Sequence, residues 1–298
     1  MSRQLGTKVS AIDGPRSRLG EGPCWDKASR SLLWVDILGE AVHRHWPATQ
    51  RNTTYPMPTV VSAVCPNVSG GFMLLLEDGF WEADSQLQNP ERVASVHGAN
   101  GRLRMNDGKI DPSGRFWGGS MAYDGSPAAG TLYFLEGTAV TQVLSGLGIS
   151  NGLDWSPNGH SFYFVDSLTR CLSSFDFDAS NGRVTNRRTL IEFEESFGLP
   201  DGLTVDAEGC IWVAGWGGWR VQRYSPEGEY LGFVDVPAAR VTSCAFGGDD
   251  LMDLYITTAI EGLTEQELEL QPEAGSLFVT RMNVEGKKAT LFGPAQWI

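Results

Sequence analysis

The chain has 298 residues, of which 41% are hydrophobic, and its 23 basic and 36 acidic side chains give a formal net charge of −13. This length can bury a sizeable core, and the composition excludes a disordered or collagen-like chain. The acidic balance and the absence of Lys/Arg runs argue against nucleic acid or an anionic membrane surface as partners.

The N-terminal segment and the cysteines indicate the cellular compartment. Residues 1–14 lack the apolar stretch of a secretory signal, and the longest apolar runs, such as 72–76, are too short to span a bilayer. Five cysteines are scattered without a C-x-x-C pair. That pattern favours reduced thiols over a disulfide framework or a zinc knot. We therefore expect a cytoplasmic protein with no membrane partner.

A unit of about 45 residues recurs along the chain, which is a spacing typical of one propeller blade. Each copy contains a glycine turn, an apolar stretch, a second turn rich in Pro, Asp, Asn and Gly, and an aromatic strand. The aromatic or apolar anchors of the six copies are Trp34, Met73, Trp117, Tyr163, Trp212 and Tyr255. This repeat predicts an all-β fold, a single six-bladed β-propeller domain over residues 1–298 with four antiparallel strands per blade.

The remaining local signals concern turns and ring closure. Residues 225–229, Ser-Pro-Glu-Gly-Glu, predict a hairpin turn. Residues 264–270 predict one short helix, with Thr264 as N-cap and Glu267 three residues later. Strands near the N-terminus are available to complete the last blade.

A carboxylate or carboxamide precedes glycine in the opening turn of four units. The four dipeptides are Glu21-Gly22, Asp107-Gly108, Asn151-Gly152 and Asp201-Gly202. Equivalent positions of different blades converge on the propeller axis, where three or four oxygen ligands would form a divalent-cation site. Each Asn-Gly or Asp-Gly pair taken alone is more often an ordinary turn than a ligand, because these are the commonest tight-turn dipeptides. The shared register of the four pairs favours a common site, since Glu21-Gly22 is not a preferred turn dipeptide.

The sequence resembles the senescence marker protein (regucalcin)/gluconolactonase/luciferin-regenerating enzyme family over roughly residues 15–295. The motifs that carry the resemblance are LGEGP at 19–23, WVD at 34–36, RMNDGK at 104–109, DP at 111–112, GR at 114–115, GGSM at 118–121, SNGL at 150–153 and PDG at 200–202. The resemblance implies a six-bladed propeller that hydrolyses lactones with one bound divalent metal ion.

The resemblance also implies roles for individual residues. The family's metal ligands match Glu21, Asn151 and Asp201. Its substrate-binding pair matches Arg104 and Asn106, whereas the repeat register points to Asp107 in place of Asn106. A family glutamate that contacts sugar hydroxyls is matched by Asp124, whose shorter side chain leaves the identity of the sugar lactone open.

The expected activity is metal-dependent opening of a sugar lactone, aldonolactone to aldonic acid, as in gluconolactonases. The metal would polarise the carbonyl, and Asp201 would activate water as general base. The ion is Ca²⁺, Zn²⁺, Mn²⁺ or Mg²⁺. An aryl esterase or phosphotriesterase on the same scaffold and a non-catalytic calcium-binding propeller are the alternatives. The sequence leaves the oligomeric state open.

Several motifs suggest other chemistry. Residues 148–152 fit the G-x-S-x-G elbow of serine hydrolases, but Pro157 blocks the helix that this elbow requires. Residues 176–187 resemble a calcium loop, but the glycine is one place late and Arg187 replaces the glutamate, which favours a hairpin turn.

Histidines and tryptophans offer weaker signals. His43 and His45 share one strand face, and a surface role is favoured over a metal pair because no third ligand is near in sequence. His97 is a candidate for the mouth of the site. Residues 216–220, Trp-Gly-Gly-Trp-Arg, favour propeller packing over an aromatic wall for a sugar ring.

Overall fold

A computed structural model describes residues 3–97 and 101–294 and shows six four-stranded antiparallel sheets arranged as a six-bladed β-propeller. The predicted fold class is therefore confirmed. The hydrophobic core lies between neighbouring blades. Trp117 and Trp155, for example, meet edge to face with ring centroids 5.4 Å apart, one from the third blade and one from the fourth.

The strands follow one another from the axis outwards within each blade. A short N-terminal strand, β1, spans Ser10–Ala11. The first blade contains β2 Gly20–Asp26, β3 Ser31–Asp36, β4 Ala41–Trp46 and β5 Arg51–Pro56. The second contains β6 Val61–Pro66, β7 Phe72–Leu76, β8 Gly79–Ala83 and β9 Glu91–Ser95. The third contains β10 Leu103–Ile110, β11 Phe116–Ala122, β12 Gly130–Glu136 and β13 Ala139–Leu147.

The fourth to sixth blades repeat this order. The fourth contains β14 Ser150–Trp155, β15 Ser161–Asp166, β16 Cys171–Asp178 and β17 Arg183–Glu192. The fifth contains β18 Leu199–Val205, β19 Ile211–Trp216, β20 Arg220–Tyr224 and β21 Tyr230–Asp235. The sixth contains β22 Val241–Gly247, β23 Asp253–Thr258 and β24 Phe278–Arg281. Helix α1, Glu265–Leu270, lies in the loop between β23 and β24.

Strand β1 closes the ring. It pairs with β24 as the fourth strand of the sixth blade, with Ser10 opposite Val279 and Ala11 opposite Phe278. The N-terminal segment therefore completes the last blade, as the sequence allowed. This arrangement joins the two ends of the propeller, which leaves no blade with an unpaired third strand.

The innermost strands place two sets of side chains at the axis. On the innermost strand of each blade, one residue pairs with the anchor position of the second strand. We call these six residues the lower ring: Cys24, Cys65, Lys109, Asp154, Thr204 and Ala245. The residues three positions earlier form the upper ring: Glu21, Ser62, Asn106, Asn151, Asp201 and Thr242. All upper-ring residues are buried. Every inner strand has a ladder irregularity at this level.

This register corrects two details of the repeat. Asn106, not Asp107, occupies the ring position of Glu21, because Asn106 lies three residues before Lys109 as Glu21 lies three before Cys24. In the first blade Leu33, not Trp34, pairs at the anchor position. The whole of β3 is buried, so hydrophobicity alone does not distinguish these two neighbours.

Most other local predictions are confirmed. Thr264 caps helix α1 in a full capping box with Glu267, and the Ser225 amide donates to the Glu229 carbonyl in the predicted turn at 2.8 Å. A strand, not a helix, follows the G-x-S-x-G sequence, so it is no nucleophile elbow. The chain turns at 179–182 between β16 and β17, where a hairpin was expected.

The favoured surface role of His43 and His45 is wrong. Both side chains are buried in β4, and burial lowers the pKa of each. The His43 Nδ1 atom lies 2.9 Å from Thr54 Oγ1, and the His45 Nδ1 atom lies 2.9 Å from Asn52 Oδ1. Each imidazole is thus held by a cross-strand polar partner on β5 within the first blade.

The five cysteines are free thiols, as expected. Within residues 3–97 and 101–294, no helix has the length and apolar character needed to cross a bilayer.

Candidate metal centre at the propeller axis

Glu21, Asn151 and Asp201 come from the inner strands of the first, fourth and fifth blades and converge at the axis. Each is at most 6% exposed. The Asp201 charge adds to burial in raising the pKa of Glu21, and a hydrogen bond from the Asn151 side chain to the Asp201 carboxyl partly opposes the rise in the pKa of Asp201. Residues 180 positions apart in sequence therefore share one buried polar site. We call these three residues, with Asp107 and Arg104, the axial cluster.

Three carboxyl groups repel one another in this cluster. Burial raises the pKa of Glu21 well above its ordinary value of 4.5, and the charges of Asp201 and Asp107 raise it further. Burial and the Asp107 charge likewise raise the pKa of Asp201. The pKa of Asp107 is raised to about 6, mainly by burial, although the Lys109 charge acts against this. The Arg104 charge lowers the pKa of Glu21 and Asp201 but does not offset burial and the neighbouring carboxyls, so ionisation of these two groups is disfavoured.

The amide of Asn151 indicates what is able to bind here. Its Nδ2 donates to Ser167 Oγ at 3.0 Å, and that hydroxyl donates to the Pro200 carbonyl at 2.7 Å. These bonds fix the amide orientation, and its buried Oδ1 has no hydrogen-bond partner. A buried acceptor without a donor is rare and calls for a ligand. This oxygen, together with two carboxylates, forms a donor set that fits a divalent cation.

Arg104 and Asn106 adjoin the cluster. The Arg104 Nη1 donates to Asn106 Oδ1 at 2.7 Å and to the Met105 carbonyl at 3.0 Å. The Asn106 Nδ2 donates to the Ser150 carbonyl at 2.8 Å, which links the third blade to the fourth. Burial lowers the pKa of Arg104, while the Tyr123, Glu21 and Asp201 charges oppose that shift. Both predicted substrate-binding residues thus lie with the predicted metal ligands.

Asp124 lies apart from the axial cluster. It is exposed, and its Oδ1 accepts from Ser126 Oγ at 2.6 Å and from the Ser126 amide at 2.9 Å. These two bonds lower the pKa of the carboxyl. The loop turns this side chain to its own backbone, an outcome that the motif register does not reveal. Its role as a substrate contact stays a prediction.

Tyr123, the neighbour of Asp124, is a rim residue that the sequence reasoning missed. Its hydroxyl donates to Glu77 Oε1 at 3.1 Å, across the boundary between the third and second blades. Burial and Glu77 raise the pKa of Tyr123 to about 12, and Arg104 is near enough to oppose this. His97 Nε2 lies 2.9 Å from the carbonyl of the same residue, Glu77. A place for His97 at the mouth of the site stays a prediction.

The one carboxylate of the lower ring, Asp154, is paired with two ammonium groups. Lys109 Nζ donates to Asp154 Oδ2 at 3.2 Å, and Lys287 Nζ donates to Asp154 Oδ1 at 2.5 Å. Lys109 also donates to the Leu203 carbonyl at 2.8 Å, and Lys287 to the Trp155 carbonyl at 2.7 Å. Burial opposes ionisation of Asp154, yet the two ammonium groups hold its pKa below the ordinary value.

Another acidic group lies away from the axial cluster, at the turn after β18. Ligand atoms of Asp206, Glu208 and Cys210 lie within 4.8 Å of one another. Arg223 Nη2 already bridges the two carboxylates, at 2.6 Å from Asp206 and 2.7 Å from Glu208. Because a guanidinium supplies the countercharge there, this group is less suited to a metal ion than the axial cluster.

The chain is similar to known proteins over nearly its whole length. It is 39% identical to regucalcin of Danio rerio over 94% of this chain and 96% of that protein. It is 36% identical to a Bacillus subtilis protein named "Putative sugar lactone lactonase YvrE" over 93% of this chain and 96% of that protein. A solved structure of a calcium-binding protein, regucalcin, from Agrobacterium tumefaciens matches with a TM-score of 0.93 at 30% identity, covering 97% of this chain and 98% of that one.

The sequence profile described as "SMP-30/Gluconolactonase/LRE-like region" matches residues 19–260. This span includes every predicted metal ligand. The resemblance seen in the motifs is therefore confirmed, and the chain belongs to the SMP-30/gluconolactonase/LRE-like family.

Proposed function

We propose that the chain is a metal-dependent hydrolase that opens a sugar lactone to the corresponding acid. The observation that carries this proposal is the buried, unpartnered Oδ1 of Asn151 beside the mutually repelling carboxyls of Glu21 and Asp201. Membership of a family that includes gluconolactonases, and the printed name of the Bacillus relative, support a lactone as substrate.

Glu21, Asn151 and Asp201 would hold one divalent cation. When bound, such an ion supplies Lewis-acid polarisation of a carbonyl group and compensates negative charge. The donor set consists of oxygens alone, which favours Ca²⁺, Mg²⁺ or Mn²⁺ over Zn²⁺. The calcium-binding description of the Agrobacterium structure is in keeping with that preference.

The side chains of the chain itself would perform the proton transfer and the positioning. Asp201 accepts a proton from the attacking water, whose oxygen forms a bond to the lactone carbonyl carbon. The bond from that carbon to the ring oxygen then breaks, and the ring oxygen takes up a proton to become a hydroxyl. Arg104, fixed by its two bonds to Asn106 and Met105, donates to substrate oxygens, and Asn106 is held in turn by Ser150.

A substrate panel tests the proposal against its alternatives. The purified protein is assayed with glucono-δ-lactone, phenyl acetate and an organophosphate triester, each with and without chelator. We expect fast lactone opening that chelator abolishes and that Ca²⁺, Mg²⁺ or Mn²⁺ restores. Preferential hydrolysis of the ester or the phosphotriester would contradict the proposal, and no hydrolysis of any substrate would favour a non-catalytic calcium-binding propeller.

A further inference from the structure

A cavity of about 300 Å³ lies where the fifth and sixth blades meet. Its walls include Trp219, Arg240, Leu263, Glu267, Leu270 and Gln271. Trp219 is in the turn after β19, and β19 ends at Trp216 opposite Leu199, two residues before Asp201. The cavity therefore opens on the face of the propeller that carries the axial cluster. None of Glu21, Asn151 and Asp201 lines it.

Arg240 has unused hydrogen-bonding capacity in this cavity. Its guanidinium carbon lies 4.9 Å from the Trp216 ring centroid, so the planar group is stacked and fixed. It donates one long bond, from Nη2 to the Gly262 carbonyl at 3.4 Å, and its buried Nε has no partner. A guanidinium carries five donor hydrogens, and carboxylates match its planar geometry.

Trp219 supplies an exposed aromatic surface beside this cation. Its side chain is 42% exposed, and its backbone has φ +60°. A bulky residue in the left-handed region is strained and persists where its surroundings fix it, often at ligand-binding sites. Here the Val236 amide donates to the Trp219 carbonyl at 2.8 Å, which holds the turn in place.

The opposite wall is rigid and contains an acceptor. Glu267 Oε2 accepts from the Thr264 amide at 2.8 Å and from its hydroxyl at 2.9 Å, and these bonds, with the nearby Arg240 charge, lower the pKa of Glu267. The Gln271 Oε1 accepts from the Ala239 amide at 2.7 Å, which joins helix α1 to the strand connection before β22. A ligand would thus meet a preformed cavity.

We propose that this cavity binds a sugar acid, a small polyhydroxylated carboxylate. The ligand carboxylate pairs with Arg240, its carbon chain packs on Trp219, and a hydroxyl donates to Glu267. A cation, an aromatic surface and a carboxylate acceptor around one small cavity match these three features of the ligand. The site is separate from the axial cluster and does not depend on lactone hydrolysis.

Isothermal titration with sodium gluconate tests the site. In the Asp201→Asn variant, where the axial cluster is impaired, we expect one gluconate bound per chain. Arg240→Met and Trp219→Ala, each added to that variant, should weaken binding about tenfold or more, since each removes one charge-assisted or stacking contact. Glucose, which lacks the carboxylate, should bind at least tenfold more weakly than gluconate. Lactone hydrolysis by Arg240→Met in the otherwise unchanged chain should equal that of the parent.

Arg220→Met is the matched control. Arg220 is near in sequence and also has a buried Nε without a partner, but it lies near Asp235 and does not line the cavity. Unchanged binding in this variant supports the proposal, and an equal loss would overturn it as a general charge effect. Two further results would overturn the proposal: loss of gluconate binding in Asp201→Asn, or unchanged gluconate binding when Arg240→Met is introduced. Arg240→Lys, which keeps the charge and loses the planar donor pair, replaces Arg240→Met if that variant does not fold.

Discussion

The upper and lower rings of the propeller axis are three residues apart on the same strands, yet their buried charges have opposite surroundings. In the lower ring, Asp154 is bound by two ammonium groups, from Lys109 and Lys287, and its pKa is lowered. In the upper ring, Glu21 and Asp201 face each other and Asp107, and the pKa of each is raised.

This difference distinguishes buried charged groups with a structural role from buried charged groups that bind a ligand. A buried carboxylate with paired cations is satisfied by the protein, whereas a group of repelling carboxylates with an unpartnered amide oxygen is completed only by a ligand. We therefore expect the pairing in the lower ring to stabilise the fold, and a bound cation to stabilise the upper ring.

The largest effect is expected at Asp201. Asp201→Asn removes the proposed general base and one charge of the cation site, so kcat/KM for the lactone should fall at least ~10²–10⁴-fold while the protein stays folded. Steady-state assays and circular dichroism measure both. Glu208→Gln, in the acidic group bridged by Arg223, should retain parental activity. Full turnover by Asp201→Asn would refute the role of this residue.

The second effect tests the lower ring. Lys287→Met removes one of two cations from buried Asp154, so the free energy of unfolding should fall, towards the lower end of the ~3–5 kcal/mol range for a broken buried pair because Lys109 remains. Urea denaturation measures the change. A loss under about 1 kcal/mol would mean that this pairing does not stabilise the fold.

The third prediction concerns the pH dependence of stability without cation. A carboxyl with a raised pKa keeps its proton in the folded state and loses it in the unfolded state, so stability falls as pH rises above the unfolded value. For Asp107 this window runs from 3.8 to about 6, and for Glu21 it begins at 4.5. Glu21→Gln should flatten this decline and raise the Tm of chelated protein near neutral pH. A lower Tm for the variant there would contradict the repulsion assigned to the upper ring.

The smallest effect is expected at the rim. Tyr123→Phe removes the hydroxyl that donates to Glu77, and we expect KM for the lactone to rise several-fold with kcat nearly unchanged, since the rim is displaced but the cluster is intact. Asp124→Asn is the matched neighbour. If the Asp124 carboxylate contacts sugar hydroxyls, as the family resemblance predicts, KM for the lactone also rises in the Asp124→Asn variant. A rise in KM in the Tyr123→Phe variant alone would assign the substrate contact at the rim to Tyr123.

The repeat made the fold predictable, because its fixed spacing of about 45 residues is that of a propeller blade. It also pointed to polar side chains that meet at the axis, and the family resemblance selected Asn151 and Asp201 among them as cation ligands, which stays a prediction. The orientation of the Asp124 side chain could not be predicted, because a local hydrogen bond from Ser126 Oγ determines that orientation. Lys287 reaches the axis from a segment after the last strand and belongs to no motif. The buried environment of His43 and His45 follows from packing that a polar residue pattern does not indicate.

Whether Glu21, Asn151 and Asp201 share one divalent cation is measured by calorimetric titration of chelator-treated protein with Ca²⁺, Mg²⁺ and Mn²⁺. We expect one ion per chain for the parent and for Glu208→Gln, and loss of that binding in both Glu21→Gln and Asp201→Asn. Parental binding in these two variants, or its loss in Glu208→Gln alone, would contradict this expectation.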